Sequence, residues 1–159
     1  MNASQIILLI ASFLVISMLI LIVNTSKMQV VETQISKRTT FVAINEAKNL
    51  IDEIKVKKFD ENVGSNFLMI RNNLTRSSMF GPENESYPNF DDIDDYHNFT
   101  KDFLSPEKEN LTLRVTVNYV NEQNPEIIST SNTFYKLVTI RCFRNNQQLL
   151  EFKNLFSVW

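Results

Sequence analysis

The densest concentration of chemically capable side chains is Phe90-Asp91-Asp92-Ile93-Asp94-Asp95-Tyr96-His97-Asn98-Phe99, with four carboxylates in five positions. Hard cations take several oxygen ligands, so Asp91, Asp92, Asp94 and Asp95 are the residues a metal ion would use. Their spacing is not that of the twelve-residue calcium loop, which requires a glycine at its sixth position and a glutamate at its twelfth. A second reading needs no ion. The aspartates cap backbone N–H groups, while Phe90, Ile93, Tyr96 and Phe99, three residues apart, pack inward as the apolar side of the motif. The second reading is the simpler, and no metal or cofactor is assigned.

Nothing else in the chain assembles catalytic groups. His97 is the only histidine and Cys142 the only cysteine, so a histidine-based metal site lacks its second ligand and no intrachain disulfide can form. Cys142 reads as a small core or surface side chain. Glycine-rich phosphate loops are excluded by a content of 2 glycines. No catalytic residue is assigned, and a non-enzymatic role is expected. A net charge of −2 without a clustered basic face gives no case for a nucleic-acid partner.

The acidic motif lies in a polar connection, residues 59–110, punctuated by Gly64, Gly81, Pro82, Pro88 and Pro106, residues that break regular elements. Phe67–Met69 is a short apolar patch within it. Beyond lies a β-rich head, residues 111–159. Leu111–Val120 alternates strictly, with Leu111, Leu113, Val115, Val117 and Tyr119 on one face, as a half-buried strand does. Phe134–Phe143 predicts a second strand with Leu137, Ile140 and Phe143 in the core. Asn145-Asn146-Gln147 predicts a turn, and Leu149–Val158 a third strand ending at Trp159. Short links between successive strands imply an antiparallel sheet with one apolar face to cover.

The cover must come from the front of the chain, where no proline or glycine occurs before Gly64. Ile6–Val23 is an uncharged run of 18 residues, fourteen of them Ile, Leu, Phe or Val. These favour a bilayer by roughly 4–8 kcal/mol together, and the run reaches the length of a transmembrane candidate. Ser12 and Ser17 subtract little, because a hydroxyl can bond back to its own helix. A cleaved secretory signal fits poorly: no Lys or Arg precedes the run and no small-residue cleavage site follows it.

Residues 1–24 thus form a hydrophobic half-helix and 25–58 an amphipathic one. Ile44, Ala47, Ile51, Ile54 and Lys58 carry its apolar stripe, with Val31, Ile35 and Val42 continuing it backward, at the spacing of one helical face. Such a helix would be ~87 Å long, against ~30 Å of bilayer core. The expected fold is α+β, a long N-terminal α-helix packed against a C-terminal antiparallel β-sheet. The charges flanking the greasy run pose a puzzle. Lys27, Lys37 and Arg38 all follow it, which would place the head in the cytoplasm.

This order of parts resembles the type IV pilin superfamily of pilus subunits and pseudopilins. The resemblance rests on the polar start Met1–Gln5, the run Ile6–Val23, the amphipathic continuation to about Lys58 and the strand-rich tail. The Phe90–Phe99 segment looks like an acidic FDD-x-DDY-x-x-F motif of some prepilin-like bacterial proteins. The resemblance implies a basic leader cleaved before Met1, which resolves the charge puzzle and puts the head outside the cell. It implies a structural subunit of an extracellular filament, held in the inner membrane before assembly and handled by pilus or secretion machinery. Its partner is itself, through a bundle of helices in which Met1, Gln5, Ile6, Leu9, Phe13, Leu14, Ile16, Leu19, Ile20 and Val23 make the contacts. The family usually carries glutamate where this chain has Gln5, which keeps a hydrogen bond but loses its charge-assisted part. It often carries proline where this chain has Ile22, so a more continuous helix is expected. The alternative is a monomeric single-span protein presenting an extracytoplasmic binding or sensor head.

Overall fold

A computed structural model describes residues 2–63 and 70–158. Met1, Gly64, the Phe67–Met69 patch and Trp159 lie outside the described residues. The chain divides after Thr39 into two compact units. One α-helix, α1, runs Ala3–Ile54 without interruption, 52 residues. Its composition explains its length: no glycine or proline falls inside it to break the ladder.

The helix was expected to reach Lys58, and it stops four residues earlier. The amides of Val56 and Lys57 bond to the carbonyls of Glu53 and Ile54, at 3.4 and 3.1 Å, tightening the last turn into i to i−3 geometry. Lys58 then leaves the helix to form a parallel bridge with Asp92. Its N–H donates to the Asp91 carbonyl at 3.1 Å, and the Ile93 N–H donates to the Lys58 carbonyl at 3.0 Å. Lys58 therefore anchors the acidic loop rather than extending the apolar stripe.

In the unit beginning at Thr40, the buried residues of α1 are Ala43, Ala47, Leu50, Ile51 and Ile54, at helical spacing. Ile44 and Val42, expected in the stripe, are half-buried beside it. This face packs in one core cluster with the inner face of a four-stranded antiparallel sheet. The strands are β1 (Thr100–Leu104), β2 (Asn110–Tyr119), β3 (Tyr135–Arg144) and β4 (Gln147–Ser157), in spatial order β1-β2-β3-β4.

β2 has the alternation its sequence announces: Leu111, Leu113, Val115, Val117 and Tyr119 are buried. β1 corrects the reading of residues 59–110 as connection alone. It is a short edge strand with Lys101 and Asp102 in it, and edges of this kind carry charge to discourage further pairing. β3 corrects a parity. Ile140 is in the core, but with Lys136, Val138 and Cys142; Leu137 and Phe143 are half-buried on the other face. Phe143 lies under the Arg114 guanidinium, 4.6 Å from ring centre to charge, a cation–π contact. The β3–β4 turn consists of Asn145 and Asn146 at φ 49° and 65°, the two left-handed residues of a type I′ hairpin.

Candidate assembly helix and acidic loop

The first candidate site is the apolar run of α1. Its large side chains from Ile6 to Val23 are each 44–70% exposed, and by length and composition this helix can cross a membrane. The polar atoms inside the run are internally satisfied. Ser12 Oγ donates to the Leu9 carbonyl and Ser17 Oγ to the Phe13 carbonyl, both at 2.8 Å. Thr25 closes the run the same way, onto Leu21 and Ile22. Such back-bonding removes the hydroxyls' need for water. At the other end, the Asn2 N–H donates to Gln5 Oε1 at 3.1 Å. With Asn2 as N-cap and Gln5 as the third helical residue, this is one half of a capping box. Gln5, which the sequence offered as a contact between copies, here caps its own chain. Leu9, Phe13, Leu14, Ile16, Leu19 and Ile20 are all exposed along the run.

The second candidate site is the acidic loop. Its apolar residues turn inward as the three-residue spacing implies: Phe90, Ile93 and Tyr96 are buried, and Phe99 packs against the same core. Phe90 and Tyr96 meet edge-on at 5.0 Å. Phe90 and Phe99 do so at 5.5 Å, the arrangement that ring quadrupoles favour. The Tyr96 hydroxyl donates to Glu53 Oε1 at 2.7 Å, tying the loop to the last turn of α1. The aspartates act as caps. Asp92 Oδ1 accepts the Asp94 and Asp95 N–H groups at 2.8 and 3.2 Å. Asp95 Oδ2 accepts those of Asp91 and Asp92 at 3.0 and 3.2 Å.

Between loop and sheet lies a buried ion cluster that sequence reasoning missed. The Lys136 ammonium, with no solvent exposure, donates to Asp94 Oδ1 at 2.6 Å, Asp60 Oδ2 at 3.1 Å and the Phe59 carbonyl at 2.6 Å. All three of its protons are used. The rings of Phe59, Phe80 and Tyr119 surround it, with centroids at 4.6, 5.0 and 5.4 Å, within reach of cation–π attraction. Asp60 is held in turn by the Thr75 N–H at 3.0 Å and the Tyr119 hydroxyl at 3.2 Å. The available signal was a lysine in an inward slot of β3, in phase with Val138 and Ile140.

Negative charge exceeds positive around the loop. Asp92, Asp94 and Asp95 are each 1% exposed. One oxygen of each, Asp92 Oδ2, Asp94 Oδ2 and Asp95 Oδ1, is buried without a hydrogen-bond partner among the described residues. Burial, reinforced by the neighbouring Asp94 and Asp95, pushes the Asp92 carboxyl up to about 8, since both disfavour the charged form. Partial desolvation and then the Asp91 and Asp95 carboxylates push Glu85 above the ordinary range. Lys58 pairs with Asp91, and Lys136 is spent on Asp94 and Asp60. Two sets of carboxylates bring oxygens within 4.8 Å of one another, Glu61–Asp91–Asp92 and Glu85–Asp91–Asp95.

The structure therefore brings Asp91, Asp92 and Asp95 together with Glu61 and Glu85, and assigns Asp94 to Lys136 instead. His97 stands apart from the carboxylates, its Nδ1 2.8 Å from the Val117 carbonyl oxygen. Cys142 is buried in β3. Comparison with protein-family models, curated proteins and solved structures finds no match to this chain.

Proposed function

We propose that this chain is a structural subunit of an extracellular helical filament of the type IV pilus kind, resident in a membrane before assembly and polymerising with its own copies through residues 6–23. One observation carries the reading: an uncharged 18-residue stretch of α1, apolar on every side, leaves all its large side chains exposed. A helix hydrophobic all round belongs in lipid or inside a bundle, and an apolar surface of this extent marks an interaction site.

A bilayer accounts for about 20 residues of helix. The continuation of α1 to Ile54 supports a subunit over a simple tether, since a tether has no need of helix beyond the span. Transfer from lipid into a bundle of like helices gains little from hydrophobic burial, because lipid tails are as apolar as leucine. It is driven by packing. The back-bonded Ser12 and Ser17 suit both environments. Contacts offset head to tail do not close on themselves and so grow a fibre. The sheet and the acidic loop would be displayed outside, in a structural rather than catalytic role.

The test is substitution in the run with the head as internal control. Leu14→Asp and Leu19→Asp should each abolish filaments, seen by electron microscopy of shed surface material, while the near-ultraviolet circular dichroism of the full chain in detergent is unchanged. Filaments of normal yield from either variant overturn the proposal. So does a wild-type chain found only as single molecules in the membrane, which is the behaviour of an anchored binding or sensor protein.

A further inference from the structure

We propose that Glu85, Asp91 and Asp95 form a binding site for one calcium ion in the acidic loop. Each of the three brings a carboxylate oxygen within 4.8 Å of the others. One ion spans that separation at the usual distance of about 2.3–2.6 Å per ligand. Acidic residues alone do not make a site. The second observation is Asp95 itself. Its Oδ2 is occupied by the Asp91 and Asp92 amides, whereas its Oδ1 is buried with no donor among the described residues, in a residue 1% exposed. A buried carboxylate oxygen left without a partner costs free energy until a proton or a cation meets it.

The surroundings favour a cation. The Glu85 carboxylate also holds the Asp91 N–H at 3.1 Å, so Glu85 and Asp95 converge on the same turn of backbone. Among the described residues no lysine or arginine pairs with Glu85 or Asp95; Lys58 pairs with Asp91 through Oδ2, and Lys136 is spent on Asp94 and Asp60. Hard oxygen donors select calcium or magnesium over softer metals. An irregular loop with an exposed glutamate on one side suits calcium, which accepts roughly 6–8 oxygens in flexible geometry and completes its shell with water. Magnesium demands a near-ideal octahedron at about 2.0–2.1 Å. The site would tie residues 82–88 to the turn at 91–95, and it is independent of whether the chain polymerises.

The experiment uses the full chain in detergent, stripped with a chelator. Terbium luminescence should report one saturable site, displaced by calcium below about 1 mM, and calcium should raise the melting temperature of the head. Glu85→Gln keeps the acceptor for the Asp91 amide and removes one charge from an exposed position, so it should fold normally and lose at least about tenfold in affinity, the lower end of what even outer partners of metal ligands contribute. Asp95→Asn should lose binding as well. No saturable terbium or calcium binding, binding unchanged in Glu85→Gln, or stronger displacement by magnesium than by calcium overturns the assignment.

Discussion

Lys136 Nζ and Asp94 Oδ1 meet at 2.6 Å where neither side chain is more than 1% exposed. The ammonium joins β3 to the acidic loop and, through Asp60, to the chain just past α1. Removing one member of a buried pair strands the other charge, at a typical cost of about 3–5 kcal/mol. Lys136→Met should therefore destabilise the head by that amount in urea titrations followed by near-ultraviolet circular dichroism. Asp94→Asn should cost less, because Lys136 keeps Asp60 and the Phe59 carbonyl. A Lys136→Met change within about 1 kcal/mol of wild type would show that apolar packing against Phe59, Phe80 and Tyr119, and not the buried charge, holds this junction.

The helix approaches the sheet through small residues. Ala43 and Ala47 have no exposed surface, and Leu50 is 1% exposed. Enlarging Ala47 to Leu should push helix from sheet at about 1–3 kcal/mol. Leu50→Ala should leave a cavity worth about 2–5 kcal/mol. Both are read from denaturant midpoints at unchanged m-value.

The hairpin between β3 and β4 tests a backbone argument. Asn146 sits at φ 65°. A β-branched side chain there is strained by about 1–3 kcal/mol. Asn146→Val should lose about that much stability, and Asn146→Gly should lose none, since glycine is the preferred second residue of this turn. Equal stability of the two variants would contradict the assigned turn.

Cys142 supplies a pH prediction. Burial pushes its thiol from an ordinary 9.0 up to about 11, because the thiolate is the form that desolvation penalises. Above pH 9 the unfolded chain gives up the proton that the folded chain retains. The stability that rests on the neutral thiol is complete below pH 9 and is lost as pH rises toward 11. The stability difference between wild type and Cys142→Ala should therefore narrow across that interval and stay constant between pH 6 and 8. A difference independent of pH up to 11 would contradict burial of the thiol.

How far these features were legible depends on whether they are local. α1 was legible because a 52-residue element free of glycine and proline repeats its period many times. β2 was legible because five apolar residues alternate with polar ones without a slip. β1 was not, since Thr100-Lys101-Asp102-Phe103-Leu104 is short, charged and recognisable only beside the strand it pairs with, at residues 110–114. The parity of β3 was misjudged because Lys136 occupies an inward position, and a lysine ordinarily marks the outward face. The ion cluster leaves no local pattern, as Lys136 and Asp60 are 76 residues apart. In the acidic loop, the aromatic spacing and the capping aspartates could be read in advance. Glu85 and Glu61 could not, because only the folded chain brings them to Asp91.

Gln5 is already occupied: its side-chain carbonyl holds the amide of Asn2, at the opening of its own coil. A neighbouring molecule that recruited it would swap one neutral contact for another of similar strength, with no net gain at the tip. Cohesion between copies would then have to come from shape, from how closely Leu9, Phe13 and their neighbours interlock along the shaft. A glutamate in the same place would add an electrostatic latch that this chain does without. If copies pack as proposed, the contact made at this end of the helix should accordingly be almost insensitive to ionic strength.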